Sequence, residues 1–457
     1  MNPTRWILLA LVSTGFLSPA LRSESGRPMG PLRVCLANPR YFADPSGNPV
    51  YLTGSHTWQS LQDGILPGFT KVAQPFDYVG YLNLLQTNHH NFIRLWRWEL
   101  FNHVPQPWPR SGPGSALDGR PRFNLRAFDS SYFDRLRSRV IAARDRGIYV
   151  SIMLFEDWIF MNKRADHPLE QHPFHKSNNT SDLDGDPNGD GWGIEIHTLQ
   201  IPEVLEIQKA YARKVVETVN DLDNVLFEIC NEGGQHTRDW QHAMVRFIKS
   251  VEADLPWQHP VGMTSVGDMN EACLKSGAHW TSLATTGWDQ PKDPWTSDPP
   301  PALGQMVCLL DTDHIGWKIF VRDAGFTRAW VWKSFTRGHN TLLMENLSDD
   351  EGWKAGRAAM GQTRRLAQRM NMAALVPRPD LASSGYCLAN PGQEYVVYLP
   401  SGGDVTVDLE SAAGTFKVEW IPLAQGAPLN AAAIAGGAKR TVSAPIPGDF
   451  VLVLRRL

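Results

Sequence analysis

Two carboxyl groups facing each other across a gap, one protonated and one ionised, can cleave an acetal. The acid protonates the leaving oxygen while its partner attacks or activates water. The chain places candidates for both parts at the ends of short apolar runs. Glu232 follows Val225-Leu-Phe-Glu-Ile-Cys-Asn231 and precedes Gly233-Gly234, so its side chain can project from a sharp turn. Asp311 and Asp313 follow Val307-Cys-Leu-Leu310. In a continuing strand Leu309, Asp311 and Asp313 share parity and point to one side. Asp311 directly ends the apolar run and is the expected partner of Glu232, with Asp313 as the alternative and both counted as catalytic candidates.

Other runs end in the same kind of residue: Gly54-Ser-His56-Thr-Trp58, Arg94-Leu-Trp96-Arg-Trp98-Glu99, Glu156-Asp157-Trp158, Gly287-Trp288-Asp289, His314 and Trp330-Val-Trp332-Lys333. The chain holds 17 Trp, and flat indole faces stack on sugar rings, although most Trp in any protein are core. Each of these residues has a bland role open to it, as a packed indole or a satisfied structural His. Their joint occurrence at strand ends favours a binding site formed by Arg94, Asn231, His56, Trp58, Trp98, Trp288, His314 and Trp332. His89-His90 just before the second run is read as structural.

One loop has metal-ligand spacing. In Asp184-Gly-Asp186-Pro-Asn188-Gly189-Asp190-Gly-Trp-Gly-Ile-Glu195, oxygen ligands fall on alternate residues, Gly189 supplies the turn and Glu195 stands twelfth, as in a calcium loop. The bland alternative is a solvated acidic loop. There is no Gly-x-Ser-x-Gly elbow, no His-Glu-x-x-His helix and no phosphate-cradling glycine loop, so no cofactor is required for the chemistry.

Eight β-rich apolar runs must position these groups: Val50–Leu52, Asn91–Leu95, Ile148–Leu154, Asn224–Ile229, Pro260–Ser265, Trp280–Thr285, Met306–Leu310 and Ala329–Trp332. Helical periodicity separates nearly all of them, with Leu136, Val140 and Ile141 on one face and Ile207, Tyr211, Val215 and Val219 on another. Strands alternating with helices imply parallel pairing, and eight can close into a (β/α)8 TIM barrel whose strand C-termini share one mouth. Of the 457 residues, about 30–376 form this α/β barrel behind an N-terminal hairpin that turns at Asp44–Asn48. Beyond Pro377 and Pro379, alternation in Val405, Val407 and Leu409 and in Phe416, Val418 and Trp420 predicts a small antiparallel β-sandwich over 380–457. Arg5, the apolar segment from Trp6 to Val12 and Ser18-Pro-Ala20 read as a signal peptide of residues 1–23, hence a secreted or periplasmic protein with no membrane attachment after cleavage. A net charge of −3 gives no sign of nucleic-acid binding. Of five Cys, Cys35 and Cys387 sit in identical Cys-Leu-Ala-Asn-Pro strings and are the one pair considered for a disulfide.

Arg94 on the second strand, Asn231-Glu232 after the fourth, an acidic residue after the seventh and Trp on the eighth resemble the clan A glycoside hydrolases. The segment Tyr41-Phe-Ala-Asp-Pro-Ser-Gly-Asn-Pro-Val-Tyr-Leu-Thr-Gly54 is similar to the opening hairpin of apiosidase-like barrels, and the C-terminal part to their module labelled collagen-binding. The resemblance implies a hydrolase acting on a carbohydrate, with Glu232 as acid/base, Asp311 or Asp313 as nucleophile, Arg94 orienting it, Asn231 holding the sugar and Trp332 as its floor. Two departures stand out: clan A usually has Glu after strand seven, and apiosidase-like members tend to have Asp after strand four. A carbohydrate- or matrix-binding protein on a degenerate barrel is the alternative, and a lyase or transglycosylase a further one.

Overall fold

A computed structural model describes residues 30–64, 75–161, 168–264, 267–283, 294–320, 323–424 and 427–457. Segment 1–23 and Trp288 lie outside the described residues. Three short antiparallel strands, Arg33–Val34, Phe42–Ala43 and Pro49–Val50, open the described chain. The turn between the last two is built by Asp44, whose Oδ1 accepts the N–H groups of Ser46 and Asn48 at 2.9 Å each.

Eight parallel strands follow: β1 (Gly54–His56), β2 (Phe92–Leu95), β3 (Tyr149–Glu156), β4 (Val225–Asn231), β5 (Val261–Thr264), β6 (Trp280–Ser282), β7 (Val307–Asp311) and β8 (Asn340–Met344). They pair in the order β1-β8-β7-β6-β5-β4-β3-β2. Asn91 closes the seam between β1 and β2. Its N–H donates to Thr53 O at 3.0 Å, its Oδ1 accepts the Thr53 N–H at 3.0 Å, and its Nδ2 donates to Tyr51 O at 2.9 Å. Above it, His90 Nδ1 accepts the Ser55 N–H at 3.2 Å, so this His is structural. The two strands approach closely because residue 54 is Gly: a Cβ there would meet Phe92 O at 2.1 Å.

Helices α1 (Tyr78–Thr87), α2 (Ser130–Arg144), α3 (Pro202–Val219), α4 (Arg238–Ala253), α5 (Asn270–Lys275), α6 (Pro294–Ser297), α7 (Ala324–Thr336) and α8 (Glu351–Ala367) alternate with the strands. The stripes at 3–4 spacing face inward as expected, Leu136 and Val140 on α2 and Ile207, Tyr211, Val215 and Val219 on α3. At the N-terminal end of the barrel, Leu52, Phe92, Tyr149, Leu226, Trp280, Val307, Leu309 and Leu342 fill the interior, so the barrel is packed and functional groups are confined to the opposite mouth.

The first and eighth strands correct the sequence expectation: Val50 belongs to the hairpin strand Pro49–Val50, and the chain enters the barrel only at Gly54–His56. Ala329–Trp332 lies inside α7, which Asp323 caps by accepting the Phe326 N–H at 3.0 Å, and the strand is Asn340–Met344. Helix α7 is buried on two sides. Trp330, Val331, Trp332 and Phe335 join one cluster with Leu310 and Leu343 of the barrel and with Val396, Tyr398 and Val453 of the C-terminal domain. A helix that buries two faces blurs the single apolar stripe of 3.6 periodicity, which is why four apolar residues in a row read as a strand. Trp332 is fully buried and stacks on Tyr398 with ring centroids 6.5 Å apart. It is part of the inter-domain core and does not floor the mouth.

Val376–Pro377, Cys387–Asn390, Glu394–Leu399, Phe450–Arg456, Thr415–Pro422 and Leu429–Ala435 form a six-stranded antiparallel sheet in that spatial order, with Asp404–Asp408 paired to Lys439–Ser443 in a second layer. Alternate residues divide its faces. Leu388, Val396 and Val451 pack toward α7 and α8, while Ala389, Val397 and Leu452 meet Val405, Val407 and Leu409 of the second layer. All five Cys are buried free thiols, so the Cys35–Cys387 bond is not made. The twin string at the N-terminus does reach the domain junction, but through Asn38, whose Nδ2 donates to Met372 O and Leu375 O at 2.9 and 2.8 Å.

Replacing Trp332 by Ala is expected to cost about 3–5 kcal/mol of stability, the range for removing a buried indole. Urea unfolding measures it. A stability within 1 kcal/mol of wild type, or roughly the scatter of surface substitutions, would contradict the junction role.

Candidate active site

Arg94 shares inward parity with Phe92 on β2, and Glu228 shares it with Leu226 on β4. The two meet inside the barrel, where Arg94 Nε donates to Glu228 Oε2 at 3.0 Å and its NH2 group to Oε1 at 2.5 Å. The other edge of the guanidinium reaches β7: NH1 donates to Asp311 Oδ2 and Asp313 Oδ2, both at 3.1 Å, and NH2 donates to Asn231 Oδ1 at 2.5 Å. Thr264 Oγ1 donates to Glu228 at 3.0 Å. One buried guanidinium thus serves three buried carboxylates.

Those carboxylates are not equivalent. Asp311 is fully buried at the end of β7. Its Oδ1 accepts from His56 Nε2 at 2.9 Å and from the Asp313 N–H at 3.0 Å, and its Oδ2 accepts from Arg94. Trp96 Nε1–H donates to His56 Nδ1 at 3.1 Å, so the His56 proton directed at Asp311 sits on Nε2. Burial would raise the Asp311 pKa, but His56 and then Arg94 outweigh it and hold the group well below the usual carboxylate range.

Asp313 stands in the 3-10 turn Thr312–Ile315 that begins where β7 ends. Strand parity therefore does not extend to it, and the turn carries its carboxyl up to the mouth. Burial pushes it up to about 6; Arg94 opposes that shift and the Asp311 charge adds to it. Glu232 faces it. One carboxylate oxygen of Glu232, one of Asp313 and a ring nitrogen of His314 all lie within 4.8 Å of one another. Burial, then the charges of Asp313 and Glu156, hold Glu232 well above the ordinary range.

Asn231 links the parts. Its Oδ1 accepts from Arg94 and from His314 Nε2 at 3.0 Å, and its Nδ2 donates to both oxygens of Glu156, at 3.2 and 3.1 Å. With Nε2 donating, His314 Nδ1 accepts from Ser282 Oγ at 2.8 Å; burial pushes His314 down to about 3, so the ring is neutral. A sugar hydroxyl could bond the Asn231 amide only by displacing Glu156.

Glu232 has φ +49°, left-handed for a residue with a side chain, a strain of about 1–2 kcal/mol. Asp157 clamps both sides of it. The Asp157 N–H donates to Asn231 O at 3.1 Å, and its Oδ2 accepts the Gly234 N–H at 3.1 Å. Its Oδ1 is held by His197 Nδ1 at 2.8 Å, and His197 Nε2 reaches Glu99 Oε2 at 3.1 Å while stacking on Trp240. Burial alone would lower the His197 pKa, but Glu99 and Asp157 outweigh it and raise it to about 9.

Arg94, Asn231, Glu232, Asp311, Asp313, His56 and His314 are therefore brought together, and Trp332 is not. Trp58 and Trp98 line the same region but are 4% and 2% exposed. The indoles with open surface are their partners, Trp317 at 5.0 Å from Trp58 and Trp158 at 6.3 Å from Trp98. The loop residues Asp184, Asp186, Asn188, Asp190 and Glu195 lie apart from this group, with Asn188 bonded to Asp190 and Glu195 and Asp184 paired to Lys176. Glu228 was absent from the expected site, and Glu156 and Asp157, read as polar residues at the end of the third run, had no role in it. Glu228 had a legible signal, a lone charge at inward parity inside an apolar strand.

No family model and no curated protein matches the chain. Solved structures do. A glycoside hydrolase family 5 protein from Bacteroides vulgatus ATCC 8482 superimposes with a TM-score of 0.63 at 14% identity, over 93% of each chain. A second glycoside hydrolase does so with a TM-score of 0.60 at 12% identity, over 93% of this chain and 97% of that one. The likeness is one of fold.

Ionised Asp311 is favoured by the fold, so its stabilisation is present above the ordinary value of 3.8 and is lost as pH falls through its lower folded value. Ionised Asp313 is disfavoured, so its penalty is absent below 3.8 and complete above about 6. At neutral pH Asp311→Asn is expected to lose about 3–5 kcal/mol, as when one partner of a buried pair is removed. Asp313→Asn should match or exceed wild type, with any gain vanishing in acid. Urea unfolding at both pH values checks this; the opposite ranking would contradict the assignment of charges.

Proposed function

We propose that the protein is a glycoside hydrolase in which Glu232 is the acid/base and Asp313, in place of Asp311, is the nucleophile. The observation that carries this is the approach of the Glu232 and Asp313 carboxyl oxygens within 4.8 Å, while the oxygens of Asp311 are taken by His56, Arg94 and a backbone N–H. Two carboxyl groups this close cannot both ionise freely. Asp313 sits beside Arg94 and loses its proton first; Glu232 turns away from any cation contact of that kind and keeps its own. That leaves an acid and an anion facing each other, as acetal cleavage requires, and the short separation suits a retaining displacement through a covalent intermediate.

Arg94 and Asp311 then act as positioning groups, fixing Asp313 against rotation. Trp158 and Trp317, both half-buried, leave part of their indole surface for sugar rings. The export-like segment 1–23 supports a carbohydrate substrate met outside the cytoplasm, and the hairpin Tyr41–Gly54 supports a place near the apiosidase-like barrels. The glycoside hydrolase neighbours of the same fold support the reaction class.

The test is a panel of aryl glycosides and polysaccharides with wild type and Glu232→Ala. On a natural glycoside the variant should fall by about 10²–10⁴-fold. On an aryl glycoside with a good leaving group the loss should be smaller, and azide should restore turnover, giving a glycosyl azide with the substrate's anomeric configuration. Near-wild-type turnover of the natural substrate by Glu232→Ala would overturn the assignment, and sugar binding without turnover by wild type would leave a binding protein.

A further inference from the structure

Residues 184–195 leave β3 on a long excursion, and their side chains are not part of the mouth. Oxygen-bearing side chains fall on every second residue, Asp184, Asp186, Asn188 and Asp190, with Glu195 at the twelfth position. Gly189, at the sixth, takes φ +74° and makes the sharp turn. Asp186 is 8% exposed and Glu195 5%. Asp186 Oδ2 accepts the Gly191 N–H at 2.8 Å, but its Oδ1 is buried with no partner. Glu195 Oε1 accepts from the Asn188 amide, but its Oε2 is likewise buried with no partner. A buried carboxylate oxygen that bonds nothing is costly, and here two of them belong to one loop.

The surrounding charges add to the problem. The Asn188 Nδ2 group donates to Asp190 Oδ2 at 3.1 Å as well as to Glu195. An amide N–H thus stands between two carboxylates, where a positive charge would be held. The nearby Lys176 is 63% exposed at its side chain and is turned to the outer oxygen of Asp184 at 3.1 Å, an exposed pair that a stronger cation can displace.

We propose that this loop binds one calcium ion through Asp184, Asp186, Asn188, Asp190 and Glu195. All its donors are oxygens, and they are carboxylates and an amide on an irregular turn. That suits the larger, irregularly coordinated calcium ion and not magnesium, which demands a rigid octahedron and keeps its water. Binding requires the Asn188 amide to turn over and present its oxygen, and the loop carboxylates, no three of which bring oxygens within 4.8 Å of one another in the ion-free loop, to close on the ion. The ion would also act at a distance. Glu195 belongs to the 3-10 turn Ile194–His197, whose last residue is the His197 that holds Asp157 against the Glu232 turn. Thr198 Oγ1 and Gln208 Nε2 fix the same turn by donating to Glu195 O and Ile196 O at 2.7 and 2.8 Å.

The experiment uses the full chain, stripped with chelator and titrated with calcium. Calorimetry should show one ion per chain, and terbium in its place should luminesce on excitation of Trp192 in the loop. Calcium at about 1 mM should raise the melting temperature by about 3 °C or more, with equal magnesium giving less. In Asp186→Asn and Glu195→Gln the calcium heat and the melting shift should be lost. Both variants should still melt cooperatively without calcium, at or above the temperature of the stripped wild type, because each removes a repelling charge. No calcium heat and an unchanged melting temperature in wild type would overturn the proposal, as would calcium binding that survives in both variants. None of these readouts requires the glycosidase assignment to hold.

Discussion

A single buried cation organises the mouth of this barrel. Arg94 has its whole guanidinium inside the strands, bonded to Glu228 on one edge and to Asp311, Asp313 and Asn231 on the other. Taking one cation and three carboxylates out of water is worthwhile only if nearly every donor and acceptor is matched. The match is close for Glu228 and Asp311 and poorer for Asp313. That inequality separates the proton affinities along one side of the cleft. Asp311 stays ionised, Asp313 titrates to about 6, and Glu232, beyond direct reach of the guanidinium, holds its proton most tightly. Moving Arg94 would collapse the difference between the acid and the anion.

The position of Glu232 depends on a second buried group. A left-handed backbone at a non-glycine residue persists only where its surroundings over-determine it. Here Asp157 grips the peptide on either side, and His197 and Glu99 keep Asp157 in place. His197 comes from the excursion after β3, so that long loop is coupled to the mouth through Asp157. The packing of α7 does the same for the other half of the molecule. By burying both of its faces, it joins the barrel to the C-terminal sheet in one apolar cluster.

The barrel was legible because six of the eight β-rich runs, from Asn91–Leu95 to Met306–Leu310, are its strands and alternate with helical stripes. Arg94, Asn231 and Glu232 were legible because polar residues end those runs. Three features were not, each for a physical reason. Helix α7 is buried on two sides, so Ala329–Trp332 carries no legible helical period and reads as a strand that would bring Trp332 to the mouth. The strand–turn boundary after Asp311 is set by Asp311 itself, which caps the next turn by accepting the Asp313 N–H. Strand parity puts both aspartates on one side of β7, whereas the turn parts them, leaving Asp311 with His56 and Arg94 and carrying Asp313 to within 4.8 Å of Glu232. Asp157 and His197 act through contacts 40 residues apart in the chain, which local spacing does not report.

The central claim is that Asp313 is the carboxylate that works opposite Glu232. The most direct measurement is covalent trapping with a 2-deoxy-2-fluoro glycosyl fluoride of whichever sugar the enzyme turns over. The label slows both halves of a retaining displacement and leaves the glycosyl ester in place. Peptide mapping by tandem mass spectrometry should find the sugar esterified to Asp313. An ester on Asp311 would contradict the account, and so would inactivation-free turnover with inversion of configuration.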